Sequence, residues 1–147
     1  MLFLLRLILI IWLITALPKI FLRIMQWIVN NKAGKPGWHV LIPFLRTYTR
    51  AKFGGTVKYF WVFSICYLIA GAILNVSDIP IILTIVGLVL AIVAFVAYVQ
   101  VEHGVARVFG KTNGFGVGLV FLPFIFYPIL ALGNSQYNPE LIDITRE

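Results

Sequence analysis

The sequence predicts an all-α polytopic membrane protein, with four transmembrane helices and a broken amphipathic interfacial segment between the first and the second. Three observations lead there. Hydrophobic residues make up 61% of the 147-residue chain and charged residues only 12%, whereas a soluble domain carries roughly 45–50% and about 25%. Apolar runs of membrane length recur over residues 2–29, 57–74, 79–100 and 115–132. The main interruption, residues 32–55, gathers positive charge: Lys32, Lys35, Arg46, Arg50 and Lys52 lie in it and Lys58 follows. Residues 1–147 therefore read as one helical membrane domain, without linkers, repeats or room for a soluble domain.

Taken in order, Leu2 to Leu17 is apolar except for Arg6, and Thr15-Ala16-Leu17 before Pro18 makes a poor cleavage site. This is an uncleaved first helix rather than a signal peptide. From Pro18 on, Lys19, Arg23, Gln26 and Asn30 recur at helical spacing opposite Ile20, Phe21, Ile24 and Trp27. The helix is expected to continue either as an amphipathic stretch with Trp27 at headgroup depth or as one long tilted helix from which Lys19 and Arg23 snorkel. The interfacial segment then carries Gly34, Pro36, Gly37 and Pro43, which forbid one straight helix. Its run from Trp38 to Leu45 is too apolar for a solvent loop.

The second span opens on Lys58, Tyr59, Phe60 and Trp61, and Gly71 with Ala72 offers a small-residue patch for helix packing. A short turn, Asn75 to Asp78, leads to the third span, which ends near Tyr98 and Gln100. Glu102, His103, Arg107 and Lys111 extend that helix before Thr112-Asn-Gly114 breaks it. The fourth span is interrupted by Pro123 and Pro128. With the first and third connections basic, the second carrying Asp78 and the tail acidic, the positive-inside rule puts both termini outside. Arg6 is the one dissenting charge.

The net charge of +7 reads as orientation and attraction to anionic headgroups, not as nucleic-acid binding. Lys32, Lys35, Trp38, Arg46, Arg50 and Lys52 are the candidate lipid- or partner-binding residues. Glu102 is expected to pair with a cation, from the organising basic stretch or from Arg107, because an acid near a membrane boundary needs a partner or water. Pro36, Gly37, Pro43, Gly114, Gly116, Pro123 and Pro128 are the helix-breaking positions. Gly114, Gly116 and Gly118 superficially resemble a nucleotide loop, but no strand precedes them; close packing or a re-entrant turn accounts for them better.

No catalytic set emerges. Ser64, Ser77 and Ser135 have no local Lys or His. A metal site from His39, Glu102 and His103 is disfavoured because adjacent helix residues diverge by about 100°. Cys66 is a lone apolar-run cysteine. No cofactor and no metal are expected.

Two motifs together are distinctive. Lys32-Ala-Gly-Lys-Pro-Gly-Trp38 with Ile42-Pro43 is the first. Phe109-Gly-Lys111, Gly114-Phe-Gly116, Gly118-Leu119, Pro123 and Ile125-Phe-Tyr-Pro128 through Gly133 and Tyr137 form the second. Over roughly residues 20 to 137 the chain resembles a family of small bacterial multi-span membrane proteins of unknown function, members of which are sometimes mislabelled signal peptidase I. No Ser–Lys dyad or periplasmic catalytic domain is present to support that label. The resemblance implies a multi-pass protein of the bacterial cytoplasmic membrane whose cytoplasmic-side motifs matter.

The expected function is a non-enzymatic accessory subunit whose basic cytoplasmic face contacts a membrane-protein partner or anionic lipid. A small oligomeric transporter or channel is the alternative, and a lipid-headgroup enzyme the second.

Overall fold

The computed structural model describes residues 1–76 and 79–145. Ser77, Asp78, Arg146 and Glu147, which entered the charge and nucleophile readings, lie outside the described residues. The described residues are helical, with no strand. In chain order they form α1 (Leu2–Lys32), a 3-10 helix (Gly37–Leu41), α2 (Pro43–Phe53), α3 (Val57–Leu74), α4 (Ile81–Val108), α5 (Asn113–Phe121), α6 (Pro123–Leu132) and a second 3-10 helix (Pro139–Thr145).

Three helices are long and apolar enough to cross a membrane: Phe3–Lys32, Val57–Leu74 and Ile81–Val108. Large apolar side chains cover their outer surfaces, Leu9, Trp12, Ile65, Leu68, Ile82 and Ile92 among them. Such a surface is stable against lipid tails and not against water. Pro18 does not divide α1, which continues unbroken to Lys32.

The broken segment is accounted for residue by residue. Lys35 donates its amide to Asn30 O (2.9 Å) and Gly34 adopts φ +66°, so α1 ends in a left-handed cap that only glycine takes without strain. Gly37 then lies flat on the Trp27 indole, where a Cβ would overlap the ring. Pro43 occupies the first turn of α2, where its missing N–H costs nothing. Helix α2 is inside out by soluble standards. It buries Thr47, Thr49 and Arg50 and, with the preceding residues, exposes Trp38, Leu41, Ile42 and Phe44.

Helices α3 and α4 form an antiparallel hairpin with Ala70, Ala94 and Ala97 buried. The expected small patch at Gly71 is not where they meet most closely, since a Cβ on Gly71 would touch nothing within 4 Å. Gly87 provides the approach instead, against Ile73 and Leu74. At the other end of α4, Gly104 faces Gly54: a Cβ there would come 2.7 Å from Gly54 O and 2.6 Å from Thr56 Cγ2. This glycine contact sets α2 against α4.

The stretch expected to form the fourth span is not one helix. Residues 115–132 are divided between two helices of 9 and 10 residues, each about 14–15 Å long, half of a ~30 Å hydrocarbon core. They fold back on each other. The rings of Phe115 and Phe126 meet at 4.9 Å, and Gly118 lies against Phe126. Helix α5 runs back along α4, with Gly116 on His103 and Phe121 6.0 Å from Phe95. Helix α6 returns beside α1, so that Lys32 Nζ donates to Leu130 O (3.1 Å) and Gly133 O (2.7 Å). A flat stop in the ladder, Leu122 at φ −127° and ψ 54°, followed by Pro123, makes the turn.

The tail therefore ends beside Lys32, not beside Met1. Asn138 N bonds Val108 O (2.8 Å), and Tyr137 packs on Phe53 and Phe109. The main core, Met25, Val29, Phe53, Val105, Leu119, Tyr127 and Leu130 among its members, sits entirely at this end.

Gly104→Ala is expected to destabilise by about 1–3 kcal/mol, because the Gly54 backbone carbonyl and the buried Thr56 side chain leave a methyl no room. Gly71→Ala should be neutral or slightly stabilising. Thermal unfolding in mild detergent compares them, and equal shifts would remove the glycine contact from this account.

Candidate functional site

At the junction of α2, α4 and α6 lies a buried charged cluster. Position 50 falls three residues after Thr47 and three before Phe53, both buried, on the face of α2 turned inward. Glu102 comes from the last turns of α4 and Tyr127 from the middle of α6. Arg50 is 2% exposed and Glu102 0%. Arg50 Nη1 donates to Glu102 Oε1 and to Tyr127 Oη. Tyr127 in turn donates its hydroxyl proton to Glu102 Oε2 at 2.8 Å. Both carboxylate oxygens are thus satisfied. The Arg50 Cζ also lies 5.8 Å from the Tyr98 ring and 5.9 Å from the Tyr127 ring, within cation–π range.

Charges so buried carry a desolvation cost of several kcal/mol each, offset only when geometry and hydrogen bonds are complete. Burial works against the Arg50 charge, but the Glu102 carboxylate and Tyr127 outweigh it and hold its pKa well above the ordinary value. The guanidinium is therefore permanently charged. Chemically the cluster is a clamp with no exchangeable proton near neutrality on its cation.

The predicted residues divide accordingly. Glu102 does pair with a cation of the basic stretch, and that cation is Arg50; Arg107, the other named candidate, lies elsewhere on α4 and lines a cavity with Lys52 and Lys58. Arg50, expected to contact lipid or partner, is corrected to an interior residue because its charge is consumed by Glu102. Lys32 caps the C-terminal carbonyls of α6, where a cation complements the helix dipole. Trp38 and Lys52 are exposed, Lys35 and Arg46 half-buried. Arg46 lines an apolar cavity of ≈ 330 Å³ with Pro43, Phe44, Phe60 and Tyr67.

His39 Nδ1 hydrogen-bonds Thr49 Oγ1 at 2.8 Å, and His103 packs on Gly116. No three His, Cys, Asp or Glu side chains converge among the described residues. The glycines of the α5 entry are packing positions: Gly116 admits α4 and Gly118 admits α6. Tyr98 and Tyr127 were missed by sequence reasoning. Tyr98 is four residues before Glu102, hence on its face, and that spacing was the available signal. Tyr127, between two prolines in an apolar run, offered only its hydroxyl.

Glu102→Gln, which leaves the buried arginine without its counter-charge, is expected to cost about 3–5 kcal/mol. Tyr127→Phe should cost about 1–3 kcal/mol, because it removes the hydroxyl that bridges Arg50 and Glu102. A Glu102→Leu, Arg50→Met double variant should recover much of the loss. Unfolding midpoints for the three variants check this, and a double variant worse than Glu102→Gln alone would contradict it.

Among known proteins, no curated protein and no solved structure matches this chain. One family model does, over residues 38–140, the stretch that runs from Trp38 of the broken segment through α2–α6 into the tail. The matched part thus contains every member of the buried cluster while omitting α1, and by that match the chain belongs to DUF5684, a family of unknown function.

Proposed function

We propose that this protein is a non-enzymatic accessory or interaction subunit of a bacterial membrane complex, with its basic end in the cytoplasm. The observation that carries this reading is the state of α1. None of its most apolar eighteen-residue stretch is buried within the chain, and from Phe3 to Phe21 every side chain except Ala16 is exposed. Only the last turns of α1 pack, on α6 and the first 3-10 helix. Helices in membranes associate through packing rather than through the hydrophobic effect. A helix left bare along most of its length is open to another membrane protein.

Orientation follows from charge. Lys35, Arg46, Lys52, Lys58, Arg107 and Lys111 collect at the end where α1 and α4 stop, and positive ends are retained in the cytoplasm. Under this reading the N-terminus is outside, the tail inside, and α5–α6 a re-entrant hairpin entering halfway from the cytoplasm. The 3-10 helix and α2 then lie at the headgroup boundary, with Trp38 and Phe44 toward lipid. Anionic lipid contacts the same basic face.

The hairpin itself favours a second reading, a small oligomeric transporter, because broken helices often line substrate paths. Against it, the ionisable pair beside the hairpin is closed on itself by hydrogen bonds. A headgroup enzyme ranks third, since Glu102 is committed to Arg50.

Native mass after gentle extraction, combined with photo-crosslinking from positions 8 and 12 of α1, tests the leading reading. A heteromeric mass with crosslinks to a second polypeptide is expected. A monomer crosslinked only to lipid would sink it, and a discrete homo-oligomer with ion or solute flux in liposomes would move the assignment to transport.

A further inference from the structure

The ≈ 330 Å³ cavity between α2 and α3 lies outside the clamp and joins an apolar wall to polar atoms that nothing in the chain satisfies. Phe60, Phe63, Ser64, Tyr67 and Leu68 line it from α3, at the spacing of one helix face and over a rise of about 12 Å. Arg46 lines it from the first turns of α2. Phe60 and Ser64 are buried, whereas Tyr67 and Leu68 are exposed. The cavity therefore opens on the outer surface of a helix long and apolar enough to cross a membrane.

Three kinds of donor are left over there. Arg46 Nε is buried without a hydrogen-bond partner, and no hydrogen bond or ion pair among the described residues engages this guanidinium. Ser64 is 8% exposed and also bonds nothing among the described residues. A serine inside a helix can turn its hydroxyl to the carbonyl four residues back, and this one does not. The first amides of α2 have no partner within the helix, and Ile42 at the cap position supplies no side-chain acceptor. No carboxylate lines the cavity among the described residues, and Glu102 is committed to Arg50. Donors without acceptors are costly where lipid replaces water.

We propose that this cavity holds an anionic phospholipid, its phosphate on Arg46, Ser64 and the N-terminus of α2 and an acyl chain along Phe60, Phe63, Tyr67 and Leu68. A phosphate brings negative charge and several acceptor oxygens, and a guanidinium binds it through paired hydrogen bonds. A soluble anion would answer the donors and leave the aromatic wall bare. A bare hydrocarbon chain would fill the wall and leave the donors unanswered. A molecule carrying both ends is needed, and the bilayer offers one at the cavity mouth. This rests on the reading of the basic end as a face that contacts anionic lipid, and narrows one such contact to a single groove.

The test uses the full chain in mild detergent with equal amounts of phosphatidylglycerol and phosphatidylcholine of matched acyl chains. Native mass spectrometry reads which lipid is retained, and photoactivatable phosphatidylglycerol maps where it sits. Arg46→Gln is compared with Lys52→Gln, which removes the same charge from an exposed position outside the cavity. Ser64→Ala, which deletes only a hydroxyl and suits a helix, gives a second variant that leaves the charge in place. Unfolding midpoints check that each variant folds.

Wild type is expected to retain phosphatidylglycerol over phosphatidylcholine, with crosslinks on residues 43–47 and 60–68. Arg46→Gln should lower that preference about tenfold and Ser64→Ala a few-fold, while Lys52→Gln changes it little. Equal loss from Arg46→Gln and Lys52→Gln would overturn the groove and leave a generally basic face. No preference in the wild type would overturn both. A second polypeptide crosslinked at these residues in place of lipid would make the groove a protein contact and overturn the proposal. The partner at α1 is read separately, by the crosslinks from positions 8 and 12.

Discussion

A positive and a negative side chain taken out of water together need each other's charge and supporting hydrogen bonds, and this requirement organises the basic end of the molecule. Arg50 and Glu102 are 52 residues apart and belong to helices that approach through Gly54 and Gly104. The pair cannot close unless those backbones touch. Nor can it be satisfied without Tyr127, whose hydroxyl accepts from Arg50 and donates to Glu102. Tyr127 reaches them only because α6 turns back toward the basic end. The clamp thus ties α2, α4 and α6 into one unit.

The rest of that unit follows the same economy of polar groups. The carbonyls at the end of α6 are answered by the Lys32 ammonium, and Asn138 answers a carbonyl at the end of α4. In a lipid surrounding an unanswered carbonyl costs far more than at a wet surface. Basic residues at this end accordingly do two kinds of work. Lys32 and Arg50 satisfy interior acceptors, whereas Lys52 and Lys58 remain exposed around a cavity. One basic run in sequence becomes two populations in space.

The other end is built differently. Beyond the tip of the hairpin only α3 and α4 pack on each other, and α1 continues alone. The contrast between a dense basic half and a sparse opposite half is the feature that an interaction subunit would use. It leaves the geometry of the clamp untouched while exposing a long apolar rod.

Much of this was legible in the sequence. The membrane class, the three long helices, the break after Lys32 and the partner type for Glu102 follow from apolar run length, Gly and Pro positions and the cost of a lone buried acid. These are local properties, and local physics fixes them wherever the chain goes. What only the tertiary structure decided is which cation pairs with Glu102, that Tyr98 and Tyr127 join it, and that residues 115–132 form two short helices folded back on each other. The run over 115–132 has the apolarity of a span, and composition does not distinguish a kinked crossing from a hairpin. That choice rests on long-range contacts: Phe126 on Phe115 and Gly118, Lys32 on the α6 carbonyls, and Tyr127 on the buried ion pair. Hydropathy records the solvent a segment prefers, whereas the direction in which it leaves depends on partners a hundred residues away.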